Sequence, residues 1–213
     1  MKSKIKTILC LNGNLPEASF FKEHSSKIII ASDGAFNHLQ NIEVKAKYII
    51  GDLDSISQCS PNQSGLIEYN DQNYTDFEKC LLVMHQKSLF PAIICGLFGK
   101  ELDHAINNLN CFMKYSNKNS MVFYDRDGNS PPKWGLSLTS ATTTIFTTPG
   151  ETISILPHPK ATVSTKGLKW ELNKAKLCLN KESSPRNMAT GTSVTIKVLS
   201  GKILLIKDNF CIL

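Results

Sequence analysis

The sequence lacks any stretch approaching the roughly 18 consecutive apolar residues that a membrane-spanning helix needs. Near its beginning, MKSKIKTILCLNGNLPE contains an apolar stretch of about five residues, which is too short for the core of a signal peptide. Internal repeats and low-complexity segments are also absent. These absences predict a soluble, cytoplasmic protein.

The cysteines form no CxxC pair, and their number, seven, is odd. Several of them lie inside apolar runs, where cysteine acts as a small hydrophobic residue. We therefore expect reduced thiols in a cytoplasmic protein at Cys10, Cys59, Cys80, Cys95, Cys111, Cys178 and Cys211.

The chain contains no run of five or more lysines, although its formal net charge is +6. Because the lysines are scattered, they predict a solvated surface rather than a nucleic-acid-binding one. The positive balance also favours an anionic small substrate. Apolar residues make up 41% and charged residues 20% of the 213 residues, which is ordinary for a folded protein with one or two cores.

Six short apolar runs occur in the first part of the chain, and each ends at a glycine or an acid. The runs are ILCLNG, IIIASDG, YIIGDLDS, LIEYND, AIICGLFG and MVFYDRDG. Short β-rich runs separated by helix-length stretches are typical of βαβ units and predict a parallel sheet buried on both faces. Ligands of such sheets bind beyond the carboxyl ends of the strands. The row of carboxylates expected at that edge suits Mg²⁺ and phosphate.

Two segments in this part have strong helical patterns. In TDFEKCLLVMHQK, Thr75 and Glu78 form a capping box, which predicts Thr75 as the N-cap. In LDHAINNLNCFMKY, Asp103 and Asn107 stand four residues apart and are expected to project side by side. The predicted buried stripe of this second helix consists of Leu102, Ala105, Ile106, Leu109 and Met113.

The pattern changes after residue 126, where RDGNSPPKWG is rich in residues that break regular structure. Short strand-like runs follow: TTTIFTT, ETISILP, ATVSTKGLKWEL, AKLCLN, TSVTIKVLSG and KILLIKD. Their spacing, with glycine and proline between them, predicts an antiparallel β-sandwich. We therefore expect two domains, an α/β domain at 1–126 and an all-β domain at 127–213.

The segment GDLDS at 51–55 is the sharpest local signal for a metal site. Carboxylates at i and i+2 on extended backbone, here Asp52 and Asp54, point the same way. A solvated turn is the alternative for a lone DxD. However, Asp33 and Asp71 end neighbouring strands, and so many acids repel one another unless a cation shares the site. Mg²⁺, which takes protein carboxylates together with substrate phosphate, is the cation we expect.

The segment DQNYTDFEK at 71–79 links a strand end to the capped helix. Asp71 precedes the cap and is the better metal ligand, because the helix dipole favours an acid such as Asp76 in the first turn in any case. Lys79 is expected to face solvent, from where it can reach a phosphate near the helix start.

The segment GLFGKELDH at 96–104 reads as a strand end, a glycine turn and a helix start. A helix N-terminus with glycines beside it can bind an anion. A simple turn is the alternative. His104 has no partner evident from the sequence, and we expect it to be an ordinary helix residue.

Five blocks, in this order, resemble the motifs of the thiamin pyrophosphokinase family. The pattern of that family reads roughly ADGGAN, GDFDS, DQxxTDxxKAL, GGRxDH and TTxGLKW or TKGLKY. The present chain has SDGAFN at 32–37, GDLDS, DQNYTDFEKCL, GKELDH at 99–104 and STKGLKW at 164–170. The likeness spans nearly the whole chain and covers both predicted domains.

The resemblance implies a Rossmann-like domain joined to a β-sandwich, and a homodimer with its active sites between subunits. It implies Mg²⁺-dependent transfer of the terminal diphosphate of ATP to the hydroxyl of thiamin, giving AMP and thiamin diphosphate. The acidic motif positions, expected to be catalytic, are Asp33, Asp52, Asp54, Asp71 and Asp103. Of these, the candidate metal ligands are Asp52, Asp54 and Asp71. The candidates for lining the nucleotide are Gly34, Asn37, Asp76, Lys79, Gly99 and Asn107.

The resemblance also implies a thiamin site in the second domain. Trp170 would stack on thiamin, a cation with flat rings, and Ser164 would form a hydrogen bond nearby, both contributed by the partner subunit. A core position in the sandwich is the alternative for Trp170. Asp54 and Asp103 are both candidates to accept the proton of the hydroxyl.

The chain departs from the family pattern in three places. Ala35 and Phe36 replace the usual Gly-Ala, and Lys100 and Glu101 stand where the family often has Gly-Arg. The run SSPRNMATG at 183–191 stands where a serine-asparagine pair is common. These departures leave the metal motif intact and alter the expected nucleotide contacts.

Two other functions are alternatives to thiamin diphosphate synthesis. One is a diphosphokinase acting on another hydroxymethyl heterocycle, such as a pterin. The other is a sensor of nucleotide or thiamin diphosphate that has lost catalysis. STKGLKW favours thiamin over a pterin, and the full set of acids favours catalysis over sensing.

Overall fold

The computed structural model of the protein describes residues 5–54, 56, 65–116, 120–126, 128 and 130–208. Ser55 of GDLDS, Asp127 of MVFYDRDG and the cysteines Cys59 and Cys211 lie outside these residues. The chain forms two compact units, the first ending at Ser130 and the second beginning at Pro131. Among the helices of the described residues, none has the length and hydropathy to cross a membrane.

The first unit contains one strand for each of the six apolar runs. The strands are β1 (Thr7–Cys10), β2 (Ile28–Ser32), β3 (Tyr48–Gly51), β4 (Leu66–Glu68), β5 (Ala92–Cys95) and β6 (Met121–Asp125). Their order is β4-β3-β2-β1-β5-β6, and every neighbouring pair is parallel. The predicted parallel sheet is confirmed. All residues of β1 and β5 are buried, as expected for strands covered on both faces.

Four helices connect these strands: α1 (Ala18–Glu23), α2 (Asp33–Asn41), α3 (Asp76–Gln86) and α4 (Leu102–Tyr115). The predicted capping box of α3 is present, because the Thr75 side chain accepts from the Glu78 N–H and the Glu78 carboxylate accepts from the Thr75 N–H. This box starts α3 at the carboxyl edge of the sheet.

The predicted buried stripe of α4 is wrong in its N-terminal half. Leu102 is 74% exposed and Ile106 is 54% exposed. The helix is buried through its C-terminal half instead, where the Phe112 ring packs against Phe123 with ring centroids 5.5 Å apart. A helical period shows which residues share a face, but it cannot show how far the sheet beneath the helix extends.

The second unit is all antiparallel. Its strands are β7 (Lys133–Leu138), β8 (Thr142–Phe146), β9 (Thr152–Lys166), β10 (Ala175–Cys178), β11 (Ser184–Met188) and β12 (Ser193–Lys207). Two pairs of predicted strands are each one long strand. ETISILP runs on into the next run as β9, and TSVTIKVLSG runs on into KILLIKD as β12.

The two long strands pair with each other along their length and build both layers of a sandwich. The first half of β9 and the second half of β12 are flanked by β11 and β7, and the other two halves by β10 and β8. The pairing of β12 with β9 is irregular on both sides of Gly201, with an extra residue in β12 before it and extra residues in β9 after it. Gly201, whose φ is 79°, lies where the strands change layer. Buried aliphatic side chains of both halves form one core, which includes Ile153, Val163, Ile196 and Leu205.

The five described cysteines are free thiols, and four of them are buried: Cys10, Cys80, Cys95 and Cys111. Burial raises the pKa of each of these four thiols. They therefore pack as small neutral residues rather than as reactive thiolates.

Candidate active site

A cavity of about 600 Å³ opens at the carboxyl edge of the parallel sheet in the first unit. Its wall is built from the residues that follow β1, β2, β3 and β5 and from the first turns of α3 and α4. The strand order reverses between β1 and β5, and open parallel sheets bind ligands at this switch point. The predicted site residues in its wall are Asp33, Asp52, Asp54, Asp76, Lys79, Gly99, Asp103 and Asn107.

Three carboxylates meet in this cavity. Asp33, Asp52 and Asp54 each bring one oxygen to within 4.8 Å of the others. Asp33 follows β2, and the other two follow β3, which pairs with β2 in parallel. This donor set consists of carboxylate oxygens alone, which suits a hard divalent cation such as Mg²⁺.

Gly51 allows Asp33 to approach the end of β3. A Cβ added at Gly51 would lie 2.3 Å from Asp33 Oδ2, so a side chain there would displace the carboxylate. Two backbone groups hold this carboxylate in place. The Leu53 N–H donates to Oδ2 at 3.2 Å, and the Gly34 N–H donates to Oδ1 at 2.7 Å.

The backbone between Asp52 and Asp54 is a turn, not the extended segment that the DxD spacing predicts. Leu53 has a φ of 67°, in the left-handed region that residues with a side chain adopt rarely. The two carboxylates therefore meet because the chain turns at Leu53, and not because they alternate along a strand.

The environments of Asp33 and Asp52 shift their pKa values in opposite directions. Burial, followed by the charge of Asp76, raises the pKa of Asp33 to about 6. The pKa of Asp52 is lowered to about 2, chiefly by the hydrogen bond from Gln72 Nε2, at 3.1 Å, and to a smaller extent by Asp33 and Lys79. The buried carboxylate thus resists ionisation, and a bound cation would favour its charged form.

Lys79 is buried, with only 2% of its side chain exposed, so the solvent-facing position predicted from the sequence is wrong. Its Nζ lies 3.3 Å from Asp76 Oδ1 and 3.7 Å from Asp52 Oδ2. Burial lowers the pKa of Lys79, but the hydrogen bond and charge of Asp76 and the charge of Asp52 outweigh burial, so the net shift is upward. The ammonium is therefore a permanent cation in the wall of the cavity.

Three predicted site residues of the first unit lie outside the wall of the cavity. Asp71 is exposed and outside the carboxylate cluster, and its Oδ1 accepts from the Asn73 N–H and side-chain amide at 2.9 and 2.8 Å. Gly34 and Asn37 lie in α2 and are half-buried. A Cβ at Gly34 would lie 2.6 Å from Asn12 Nδ2, so Gly34 makes room for a residue that does line the cavity.

The start of α4 brings Asp103 and Asn107 to the cavity together, as their four-residue spacing predicts. Asp103 Oδ1 accepts from the His104 N–H at 2.8 Å. His104, expected to be an ordinary helix residue, also lines the cavity. Gly99 precedes the helix with a φ of 88°, which suits the tight turn predicted there.

Sequence reasoning missed several polar residues in the wall of the cavity. Asn12 follows β1, in LNGN, and its Oδ1 accepts a hydrogen bond from Lys100 Nζ. Lys100 stands out in the sequence only as a departure from the family pattern. Gln72 is the second residue of the DQ motif, and that motif is the signal through which it could have been found.

In the second unit, Trp170 is 55% exposed and is therefore not a core residue. It lies on the segment that follows Gly167, and the Lys169 Nζ lies 4.8 Å from the centroid of its ring. Ser164 is half-buried in β9, and its Oγ accepts from the Lys174 N–H at 2.9 Å. An exposed indole in a unit with an otherwise aliphatic core is available for stacking.

Two family models match the chain, one in each unit. Residues 22–124 match the catalytic domain of thiamin pyrophosphokinase, and residues 142–203 match its vitamin B1 binding domain. Among curated proteins, the chain is 26% identical to thiamin pyrophosphokinase 1 of Caenorhabditis elegans over 206 residues, covering 86% of this chain and 80% of that one. It is 21% identical over 220 residues to thiamine pyrophosphokinase 1 of Arabidopsis thaliana, covering 89% and 81%.

Solved structures share the fold. Thiamin pyrophosphokinase from Geobacillus thermodenitrificans superposes with a TM-score of 0.79 at 18% identity, covering 96% of this chain and 97% of that one. The yeast thiamin pyrophosphokinase also reaches a TM-score of 0.79, at 21% identity, covering 97% and 87%. With both domain models matched in order, the chain belongs to the thiamin pyrophosphokinase family.

Proposed function

We propose that this protein transfers the terminal diphosphate of ATP to the hydroxyl of thiamin, giving thiamin diphosphate and AMP. The observation that carries the proposal is the carboxylate cluster of Asp33, Asp52 and Asp54 inside a cavity of about 600 Å³. That cavity lies in the unit matched by the family's catalytic domain, and the vitamin B1 binding domain matches the other unit.

The cluster suits Mg²⁺, and we propose that Asp52 and Asp54 hold the ion. The structure groups Asp33 with them, whereas Asp71 remains the third ligand predicted from the sequence. When bound, Mg²⁺ would neutralise phosphate charge and stabilise the charge that develops during transfer.

The remaining groups in the wall position the nucleotide. Lys79 supplies a fixed positive charge beside the cluster, and residues of the first turns of α3 and α4 line the cavity, where a helix N-terminus favours an anion. Asp76, Gly99 and Asn107 lie in the same wall. Gly34 and Asn37 remain predicted nucleotide neighbours.

Diphosphate transfer asks the protein for orientation and charge stabilisation more than for covalent chemistry. The hydroxyl must lie in line with the β-phosphorus and lose its proton as the new bond forms. Asp54 and Asp103 both line the cavity, and both are candidate acceptors of this proton.

For thiamin, we propose stacking on Trp170 with a hydrogen bond to Ser164. The indole is exposed, and a cationic ring system binds favourably to its face. That the protein is a cytoplasmic homodimer, with these two residues contributed by the partner subunit, stays a prediction from the sequence and from the resemblance.

One comparison of substrates tests the proposal against its rivals. Purified protein is incubated with ATP and Mg²⁺ and with either thiamin or a hydroxymethylpterin, and the products are identified by mass spectrometry. We expect diphosphorylation of thiamin alone. Diphosphorylated pterin would establish the alternative substrate, and binding of nucleotide without any product would establish a sensor.

A further inference from the structure

Asn187 is a buried polar side chain in the second unit, with only 2% of its surface exposed. It lies in β11 just after a bulge. Asn187 is three residues after Ser184, whereas their partners in β9, Ile153 and Ile155, are only two residues apart. Arg186, inside the bulge, has a φ of 51°. Bulges re-aim side chains, and this one turns Asn187 inward while its neighbours in the strand stay exposed.

The amide of Asn187 uses its full hydrogen-bonding capacity. Its Oδ1 accepts from the Trp170 N–H at 3.2 Å and from the Met188 N–H at 2.8 Å. Its Nδ2 donates to the Trp170 carbonyl at 2.7 Å and to Ser184 Oγ at 3.1 Å. Two of these four bonds therefore hold both backbone polar groups of a single residue, Trp170.

The surrounding segment is fixed independently of Asn187. The carboxylate of Glu171 accepts from the Gly167 N–H at 2.6 Å and from the Leu168 N–H at 3.0 Å. The Lys169 N–H donates to the Met188 carbonyl at 2.8 Å. Replacing Asn187 would therefore leave the N–H and the carbonyl of Trp170 without these hydrogen bonds, while the hydrogen bonds of Gly167, Leu168 and Lys169 remain.

We propose that Asn187 is a positioning residue for substrate binding, which clamps the backbone of Trp170 so that its exposed indole is held ready to stack. The inference rests on the proposed function, since thiamin is the cation that would stack there. With the backbone of Trp170 fixed, less conformational freedom is lost when the indole stacks on thiamin, so thiamin binds more tightly.

The first test is a double-mutant cycle of Asn187→Ala and Trp170→Ala, with Asn180→Ala as the matched control at an exposed asparagine of the same unit. We expect Trp170→Ala to raise the thiamin KM by about threefold to thirtyfold, and Asn187→Ala to raise it by about threefold to tenfold. The ATP KM and kcat of Asn187→Ala should stay within about twofold of wild type. Added to Trp170→Ala, Asn187→Ala should cause no further rise.

Two results would overturn the inference while leaving the proposed function intact. One is an unchanged thiamin KM in Asn187→Ala. The other is an equal rise with and without Trp170, because a residue acting through the indole has no effect once the indole is gone. A wild-type protein without thiamin turnover would instead overturn the proposed function, and this inference with it.

Amide hydrogen exchange of the wild-type protein without thiamin gives a test that does not depend on any variant folding. Because the Trp170 N–H donates to a buried oxygen, we expect it to exchange at least about a hundredfold more slowly than a free amide, although its side chain is exposed. Exchange at the free-amide rate would show that Asn187 does not clamp Trp170.

Discussion

Replacing one carboxylate of the Asp33, Asp52 and Asp54 cluster by an amide removes a charge while keeping the shape of the side chain. Asp54→Asn is the cleanest of these changes because Asp54 is exposed, so the fold does not depend on burying it. Loss of one preorganised charge contact in an active site typically costs about 3–4 kcal/mol of transition-state stabilisation. That cost corresponds to a fall in turnover of about a hundredfold or more.

Stability should respond differently from activity. The three carboxylates lie within 4.8 Å of one another and repel in the ion-free protein, so removing one charge relieves repulsion. Because Asp54 is exposed, solvent screens most of this gain, and we expect the free energy of unfolding to change by no more than about 0.5 kcal/mol. Activity lost without stability lost is the signature of a functional site.

The assay measures turnover at saturating ATP and thiamin while Mg²⁺ is titrated, for wild type, Asp52→Asn and Asp54→Asn. Glu23→Gln, at an exposed acid of α1, is the matched control and should behave as wild type. Asp71→Asn asks whether the sequence-predicted third ligand is required. Near-normal turnover of both Asp52→Asn and Asp54→Asn at saturating Mg²⁺ would contradict the proposal that these residues hold the ion.

Two further variants test the structure around the cavity. Gly51→Ala places a Cβ 2.3 Å from Asp33 Oδ2, so turnover should fall at least about tenfold while the protein stays folded; wild-type turnover would show that the carboxylate need not sit there. Burial raises the pKa of Glu78, but hydrogen bonds, chiefly from Lys114 and also from Tyr115, hold it below its usual 4.5. The small stability advantage of wild type over Glu78→Gln should therefore be complete above pH 4.5 and disappear as the pH falls through the lowered pKa, as followed by urea unfolding; a difference that does not depend on pH would contradict this reasoning.

The sheet of the first unit could be predicted because its signals are local. Each apolar run is short, rich in β-branched residues and ended by a glycine or an acid, and each forms one strand. The capping box at Thr75 is equally local, since both partners lie within one helical turn. Parallel pairing then places the strand ends at one edge without further information.

What could not be predicted depends on contacts between distant segments. The sequence gives no measure of how much of α4 is covered, so the helical period predicts Leu102 and Ile106 in the core although they are exposed. It also treats proline and glycine as strand ends, whereas β9 and β12 continue past them by bending between layers.

In the candidate site, too, local motifs could be predicted from the sequence, whereas contacts between distant segments could not. Motif order identifies the acids, but it cannot show that Asp33 joins the DxD pair while Asp71 stays outside. The ammonium of the buried Lys79 pairs with Asp76 and Asp52, contacts that helical position alone does not reveal. Asn187 stands in a run that departs from the family pattern, and its bonds to Trp170 emerge only from the fold.

The most direct test of the central claim is the identity of the nucleotide product. The protein is incubated with ATP, Mg²⁺ and thiamin, and the nucleotides are separated by chromatography against a reaction without thiamin. Attack at the β-phosphorus releases AMP, so we predict thiamin-dependent AMP in equal amount to thiamin diphosphate. Thiamin-dependent ADP together with thiamin monophosphate would show attack at the γ-phosphorus and would contradict the proposed diphosphate transfer.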